Sequence, residues 1–364
     1  MSHADKKWMA QALELAEKGR GHTSPNPLVG ALVVQNGKWI AQGHHAYFGG
    51  PHAEAVALRK AGPRAEGGTL YVTLEPCSAW GKTPPCVDAV IASKVTRVII
   101  GSVDPNPKNH RQGILKLKKA GLKVKVGILA EEIERQNQPF FKTMRTGLPF
   151  VTLKMAQSLD GKIATQTGES RWISSMASRR FVHKLRSGAD ALLVGKNTAL
   201  LDNPRLQGLN GGEKPWRVVL DPDANLLPRA RIFQGPQLTL VAVSEKKLNR
   251  LSSQPRQKNR IFLPVPERKR RLELRVLLQE LASLGVHHLL VEGGGEVAWS
   301  LIRDGLVDRL IWIVAPKVIG GRTAKTSVEG EGIDRIEKAF SLKWEKIYRL
   351  GSDWVFEATM SRSN

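Results

Sequence analysis

Four residues in the first quarter of the chain have types and spacings suited to metal chemistry: His52, Glu54, Cys77 and Cys86. Zinc favours imidazole and thiolate donors, and three protein ligands leave a fourth position for water. His52, Cys77 and Cys86 form such a set. Bound zinc brings the pKa of its water down towards neutrality. Glu54 is two residues from His52, so it can stand beside the metal without ligating it and move protons between water and a departing group. A closed structural zinc site is the competing reading. It needs a fourth ligand, and the chain has only 2 cysteines, which leaves His44 or His45. Glu54 also reads as an acid favoured by the dipole at a helix start, a role compatible with catalysis.

A second candidate lies at Gly293-Gly294-Gly295, after the apolar run ending in Val291-Glu292. Glycines let a backbone approach a phosphate, and a following helix offers amide donors and a positive dipole end. Gly293, Gly295 and Ala298 satisfy G-x-G-x-x-A. That fingerprint belongs at the first strand–helix turn of its domain, and this one comes late, so a loop used only for packing stays open.

These residues need elements to hold them. Residues 6–18 have a helical apolar face ending at Gly19. Residues 28–34 and 38–42 flank Asn36-Gly37, a strong hairpin signal. A helix is predicted from Pro51 to about Lys60, closed by Gly62. Strands at 69–73, 97–101 and 124–126 alternate with helices at 87–92 and 114–120. Beyond a Gly/Pro-punctuated break at 145–149, strands are predicted at 151–155, 191–194, 217–220, 238–243, 288–291 and 310–314. Helices fall at 178–186, 272–284 and 297–303. Such alternation implies α/β sheets covered by helices. Residues 244–271, polar and basic, read as a solvated surface segment.

Bulk properties exclude whole classes. A length of 364 residues with 41% hydrophobic and 24% charged residues suits two globular domains and argues against disorder. Two cysteines exclude a disulfide scaffold. The N-terminus lacks the apolar stretch of a signal peptide and no membrane-spanning run is visible, so a cytoplasmic location is expected. The net charge of +23 is spread over both halves. It suits anionic small molecules, a nucleic acid, or a merely lysine-rich surface. No aromatic-rich RNA-binding motif is present, and no nucleic acid or membrane partner is expected.

His-x-Glu, then Pro-Cys, then a second Cys is the logic of the zinc deaminases, whose usual signature is Pro-Cys-x-x-Cys. Here residues Ser78 to Pro85 intervene. Thr73-Leu74-Glu75-Pro76-Cys77-Ser78, continuing through Gly81-Lys82-Thr83-Pro84-Pro85-Cys86, resembles the riboflavin-biosynthesis pyrimidine deaminases, where that insertion is the norm. So do Pro25-Asn26-Pro27-Leu28-Val29-Gly30 and Val103-Asp104-Pro105-Asn106-Pro107. The likeness continues through residues 154–164 and 168–173, and the whole chain resembles the bifunctional deaminase–reductase family. That resemblance implies a cytidine-deaminase-like three-layer domain at 1–147 and a dihydrofolate-reductase-like domain at 148–364. It implies removal of the 2-amino group of a phosphoribosylated diaminopyrimidinone, then reduction of the ribosyl group by NADPH. It further implies homo-oligomers.

Residue by residue, the resemblance places Asn26 and His45 at the pyrimidine, and Lys82, Asp104 and Asn106 near the phosphoribosyl group. Cofactor positions fall on Ala156, Trp172, Thr198, Asp202, Gly294, Gly295, Glu296, Val297 and Ala298. Substrate positions in the second half fall on Lys154, Ser170, Arg186, Leu206 and Glu292. Three departures stand out. Ala79 replaces a histidine, Arg111 replaces a glycine, and Leu209 replaces the arginine expected on the substrate phosphate. Arg205 or Arg186 could stand in for that arginine. An alternative is an active deaminase joined to a weakened or scaffold-only reductase domain.

Overall fold

The computed structural model describes residues 3–208, 215–226, 230–247 and 258–361. Leu209 lies outside them. The chain forms two compact units, Met1–Gly147 and Leu148–Asn364.

The first unit runs α1 (His3–Glu17), β1 (Gly30–Gln35), β2 (Lys38–His44), α2 (Ala53–Ala61), β3 (Thr69–Leu74), α3 (Cys86–Ala92), β4 (Arg97–Ser102), α4 (Gln112–Lys119), β5 (Lys123–Val126), α5 (Ala130–Gln136) and α6 (Gln138–Thr146). Its sheet has the order β2-β1-β3-β4-β5. β1 is antiparallel to β2 and β3, and β3, β4 and β5 run parallel. Both turn residues of the β1–β2 hairpin, Asn36 (φ 50°) and Gly37 (φ 69°), are left-handed, as a two-residue turn of this twist requires.

Alternate side chains on a strand face opposite ways. Ala31, Val33, Leu70, Val72, Val98 and Ile100 therefore pack one face against α2, α3 and α4. Leu32, Val34, Tyr71 and Ile99 pack the other against α1 and α5. Both faces are dry, which is why these strands read as continuous apolar runs.

The second unit comprises β6 (Phe150–Ser158), α7 (Met176–Ser187), β7 (Ala191–Gly195), α8 (Lys196–Leu201), β8 (Trp216–Leu220), β9 (Thr239–Ser244), β10 (Arg260–Val265), β11 (Glu267–Arg268), β12 (Arg271–Leu272), α9 (Leu274–Ser283), β13 (His288–Val291), α10 (Gly295–Arg303), β14 (Arg309–Ala315), β15 (Leu342–Leu350) and β16 (Asp353–Met360). Among the described residues its sheet has nine strands in the order β10-β9-β8-β7-β13-β6-β14-β16-β15. β16 is antiparallel to β14 and β15; the other pairings are parallel. α9 and α10 cover one face through Leu277, Leu278, Leu281, Ala298 and Leu301. Val182 of α7 and Ala199 of α8 cover the other.

The solvated segment expected at 244–271 is corrected in part. Arg260–Val265 forms edge strand β10, parallel to β9, although residues 248–257 are outside the description. Pro264 and a charged composition hid it, and an edge strand tolerates both because one of its sides carries no ladder.

Candidate active site

The metal-binding residues come from three separate points of the chain, just before α2, just after β3 and at the start of α3. His52 is the residue before α2, with φ −74° and ψ 160°, and brings no side-chain cap to the helix. Its ring is thereby free to face the sulfurs. Cys77 follows β3, and Cys86 opens α3. His52 Nδ1 is 3.2 Å from Cys86 Sγ and 3.5 Å from Cys77 Sγ. The three donor atoms lie within 4.8 Å of one another. One imidazole nitrogen and two thiols within that reach match the donor preference of zinc. His52 Nε2 faces Thr83 Oγ1 at 3.4 Å, which turns Nδ1 toward the cysteines.

The closed four-ligand reading fails on geometry. Among the described residues the cluster holds three ligands. His45 is committed elsewhere: its Nδ1 lies 3.1 Å from the Pro51 carbonyl and its Nε2 lies 3.0 Å from Asn26 Nδ2. That pairing fixes one neutral tautomer, with Nδ1–H donating to the carbonyl and Nε2 accepting from the amide.

Glu54 sits in the first turn of α2 and is 3% exposed. Burial pushes its carboxyl up to about 7. A group poised near neutrality can both take and return a proton. The hydrogen bond from Cys86 is the chief influence that lowers the Cys77 thiol to about 4, while Cys86 is raised by its bond to Cys77 and by burial. A cavity of about 310 Å³ opens in front of these groups. Asn26, His45, Lys82, Asp104 and Asn106 line it with His52, Glu54 and Cys77. The Lys82 ammonium lies 3.8 Å above the Phe48 ring, and Trp80 stands 77% exposed at the rim.

In the sequence, Glu75 is part of the Glu75-Pro76-Cys77 run with no role of its own. It is 3% exposed, and its carboxylate accepts from the backbone amides of Asp104 (3.2 Å), Arg111 (3.0 Å) and Ile114 (3.2 Å). A Cβ on Gly113 would stand 2.1 Å from the Pro76 carbonyl, so α4 packs hard against the Cys77 loop. Asp104 is spent on structure: it accepts from the Asn106 amide (2.8 Å) and from Asn109 Nδ2 (3.0 Å). Asn109 Oδ1 in turn accepts from Ser78 N (2.8 Å) and Ser78 Oγ (2.9 Å). Such long-range partners leave no local signature.

In the second unit, functional side chains gather at the carboxyl ends of parallel strands, the usual place for a site in such sheets. Glu292, just after β13, receives Arg186 in bidentate fashion (Nε 2.6 Å, Nη2 2.9 Å) and Lys154 Nζ at 3.2 Å. Burial opposes ionisation of Glu292, but the charges of Lys154 and Arg186 outweigh it and hold the carboxyl at about 2. Ser170 Oγ donates to Asp202 Oδ1 at 2.7 Å.

Lys154, Ala156, Ser170, Trp172, Arg186, Leu206 and Glu292 line one cavity of about 660 Å³. Gly295, Glu296 and Val297 line a second of about 570 Å³. Ser170, Thr198, Asp202 and Gly294 border both, so the two form a continuous cleft. Ala298 is the exception. It is 0% exposed in the core, and its amide donates to the Gly294 carbonyl, so it faces neither cavity.

A dinucleotide fits this cleft on two observations. A Cβ on Gly293 would lie 2.9 Å from Val297 Cβ, so the loop must be bare there. N-cap Gly294 brings no side chain to the start of α10, which leaves that helix end open to a phosphate.

Comparison with known proteins agrees with this geometry. Residues 2–102 match the cytidine and deoxycytidylate deaminase zinc-binding region, and residues 149–356 match the RibD C-terminal domain. The riboflavin biosynthesis protein RibD of Aquifex aeolicus is 40% identical over 353 residues, covering 96% of this chain and 97% of that protein. Its Escherichia coli counterpart is 39% identical over 363 residues, with 96% and 97% covered. Acinetobacter baumannii RibD superposes with a TM-score of 0.89 at 33% identity, covering 99% of each chain. A diaminohydroxyphosphoribosylaminopyrimidine deaminase/5-amino-6-(5-phosphoribosylamino)uracil reductase from Thermotoga maritima gives 0.87 at 34%, again with 99% of each covered. The first unit is thus cytidine-deaminase-like and the second dihydrofolate-reductase-like. With two family models and full-length relatives in agreement, this chain belongs to the RibD family of riboflavin-biosynthesis proteins, with a zinc-dependent deaminase domain and a reductase domain both present.

Proposed function

We propose that residues 1–147 deaminate a phosphoribosylated diaminopyrimidinone by hydrolysis, and that residues 148–364 then reduce its ribosyl group to ribityl with NADPH. One observation carries the first half: His52 and Cys77, with Cys86 within donor reach of both, and the buried Glu54 carboxyl border one cavity. Zinc held there would supply a water of lowered pKa. The chain's own residues do the rest. Glu54 takes a proton from the attacking water and delivers it to the departing amino nitrogen. Asn26, oriented by His45, offers its amide to the pyrimidine edge. Lys82 and Asn106 stand where the phosphoribosyl group would extend.

In the second unit NADPH supplies the hydride. Glu292 holds Lys154 and Arg186 in fixed positions, so a positive wall faces the sugar. Arg186 is already committed to Glu292, which supports Arg205 as the replacement for the arginine absent at Leu209. Trp172, 62% exposed with the Arg179 guanidinium 4.5 Å from its ring, offers a flat apolar surface at the cavity mouth.

We further read the outer face of β15 and β16 as a self-association surface. Trp344, Ile347 and Trp354 are 56%, 52% and 49% exposed there. Among the described residues no helix is long and apolar enough to cross a membrane.

The test is a two-step assay of the wild type beside Glu54→Gln. The variant should keep its zinc, lose ammonia release by at least about a hundredfold, and still consume NADPH with the already deaminated compound. Ammonia release at the wild-type rate would reject the role given to Glu54. Absence of NADPH oxidation by the wild type would reject the reductase half.

A further inference from the structure

The short ribbon of β11 and β12 pairs Glu267 with Leu272 and Arg268 with Arg271. Its two turn residues are Lys269 and Arg270, with φ of 48° and 63°. A two-residue hairpin turn of this hand is filled without strain by Asn-Gly. Lysine and arginine each bring a Cβ that crowds the backbone in the left-handed region. The chain therefore holds two long basic side chains where the backbone favours small residues.

The turn borders the cleft. Arg270 and Arg271 line the cavity that also contains the start of α10, with Leu220, Pro222 and Leu272 forming apolar walls. The other cations of that cavity are occupied. Lys196 lies 3.5 Å from Asp223 and 4.0 Å from Asp221, and Lys325 lies 3.5 Å from Glu329. Among the described residues Arg271 has one ion pair, with the exposed carboxylate of Glu331 at 3.4 Å. Arg270 has no ion pair among the described residues.

Dinucleotide sites distinguish the two nicotinamide cofactors at the adenosine ribose: a carboxylate accepts from a free 2′-hydroxyl, whereas an arginine accommodates a 2′-phosphate. Here Asp221 is buried, accepts from the Leu226 amide at 2.8 Å, and shares Lys196 with Asp223. Its Oδ2 is held by that amide, and the side chain does not line the cavity. Arg270 borders the cavity and has no counterion among the described residues.

We propose that Arg270, assisted by Arg271, grips the 2′-phosphate of the adenosine ribose and makes this domain select NADPH over NADH. The proposal rests on the reading of the cleft as a nicotinamide-dinucleotide site. It assigns the choice of cofactor to a hairpin turn outside the glycine-rich loop. The left-handed strain at Lys269 and Arg270 is the cost of presenting a fork that can bond phosphate through two N–H groups.

Binding of NADP⁺, NAD⁺ and 2′,5′-ADP to the full-length protein, followed calorimetrically, tests this without turnover. Wild type should bind NADP⁺ well above NAD⁺ in affinity. Arg270→Ala should raise the NADP⁺ Kd about tenfold or more, weaken 2′,5′-ADP equally, and leave the NAD⁺ Kd within about twofold. Arg271→Ala should do the same to a smaller extent. The double variant K269N/R270G relaxes the turn, so it should unfold at a higher temperature while losing the NADP⁺ preference, which separates recognition from folding. An unchanged NADP⁺ Kd in both single variants overturns the proposal, as does a parallel loss of NAD⁺ affinity. A wild type that binds neither dinucleotide overturns the cofactor reading beneath it as well.

Discussion

Glu54 and Glu292 show how environment assigns opposite states to two carboxyls shielded from solvent. Glu54 has burial as its dominant influence and is raised to about 7. Glu292 is also buried, yet two cations in direct contact hold it at about 2. Its native value lies below the ordinary 4.5, so the stability it contributes is complete above that value and is lost as pH falls towards 2. Glu292→Gln should therefore lower stability at neutral pH by about 3 kcal/mol and flatten the pH dependence below pH 4.5. Urea denaturation across that pH range checks both effects.

Arg111 offers a gain instead. It occupies the left-handed region at φ 60° just before α4. Arg111→Gly should stabilise the first unit by about 0.5–1 kcal/mol, read as a higher thermal midpoint, because glycine adopts this backbone without a Cβ clash. A lower midpoint would show that the arginine side chain contributes more than its backbone costs.

At the scale of elements, the close seat of α4 on the Cys77 loop makes Gly113 a sensitive position. Gly113→Ala forces a methyl to within 2.1 Å of the Pro76 carbonyl, and the loop or the helix must move. A loss of about 1–3 kcal/mol is expected, with weaker zinc retention during dialysis against a chelator. Unaltered metal content and stability would contradict the packing described.

The elements also show what a sequence can reveal. The Asn36-Gly37 hairpin and the alternating strands of the first sheet were legible because turn chemistry and two-sided burial act locally. The metal residues were legible because each lies in a short motif beside a predictable strand or helix. α5, α6, β15 and β16 were not anticipated. β15 is an edge strand whose large apolar residues, Trp344 and Ile347, point outward, so they give no inward alternation to read. Glu75 escaped because the amides it accepts from are about thirty to forty residues away, and Asn109 because its bonds to Ser78 span 31 residues. The resemblance places Ala298 at the cofactor, and its side chain packs in the core of the second unit.

For the whole molecule, the two compact units each carry their own core and cleft. Zinc removal should thus lower the unfolding temperature of the first unit and leave the second unit's transition in place, visible as two separating peaks in calorimetry. Reversing the exposed β15 face offers a second check at this scale. Trp344→Glu should shift the protein to a smaller species in sedimentation while leaving ammonia release by Glu54 intact. An unchanged sedimentation coefficient would remove that face as the association surface.

The three amides accepted by Glu75 have a further consequence. A carboxylate two residues before Cys77, tied to the backbone that leads into α4, holds the start of the cysteine loop in place before any ion arrives. Acquisition of metal then becomes a simple encounter with a ready-made receptor. A chain stripped of its ion stays assembled as a refillable reserve, and the supply of zinc, not the refolding of polypeptide, sets how quickly it returns to work.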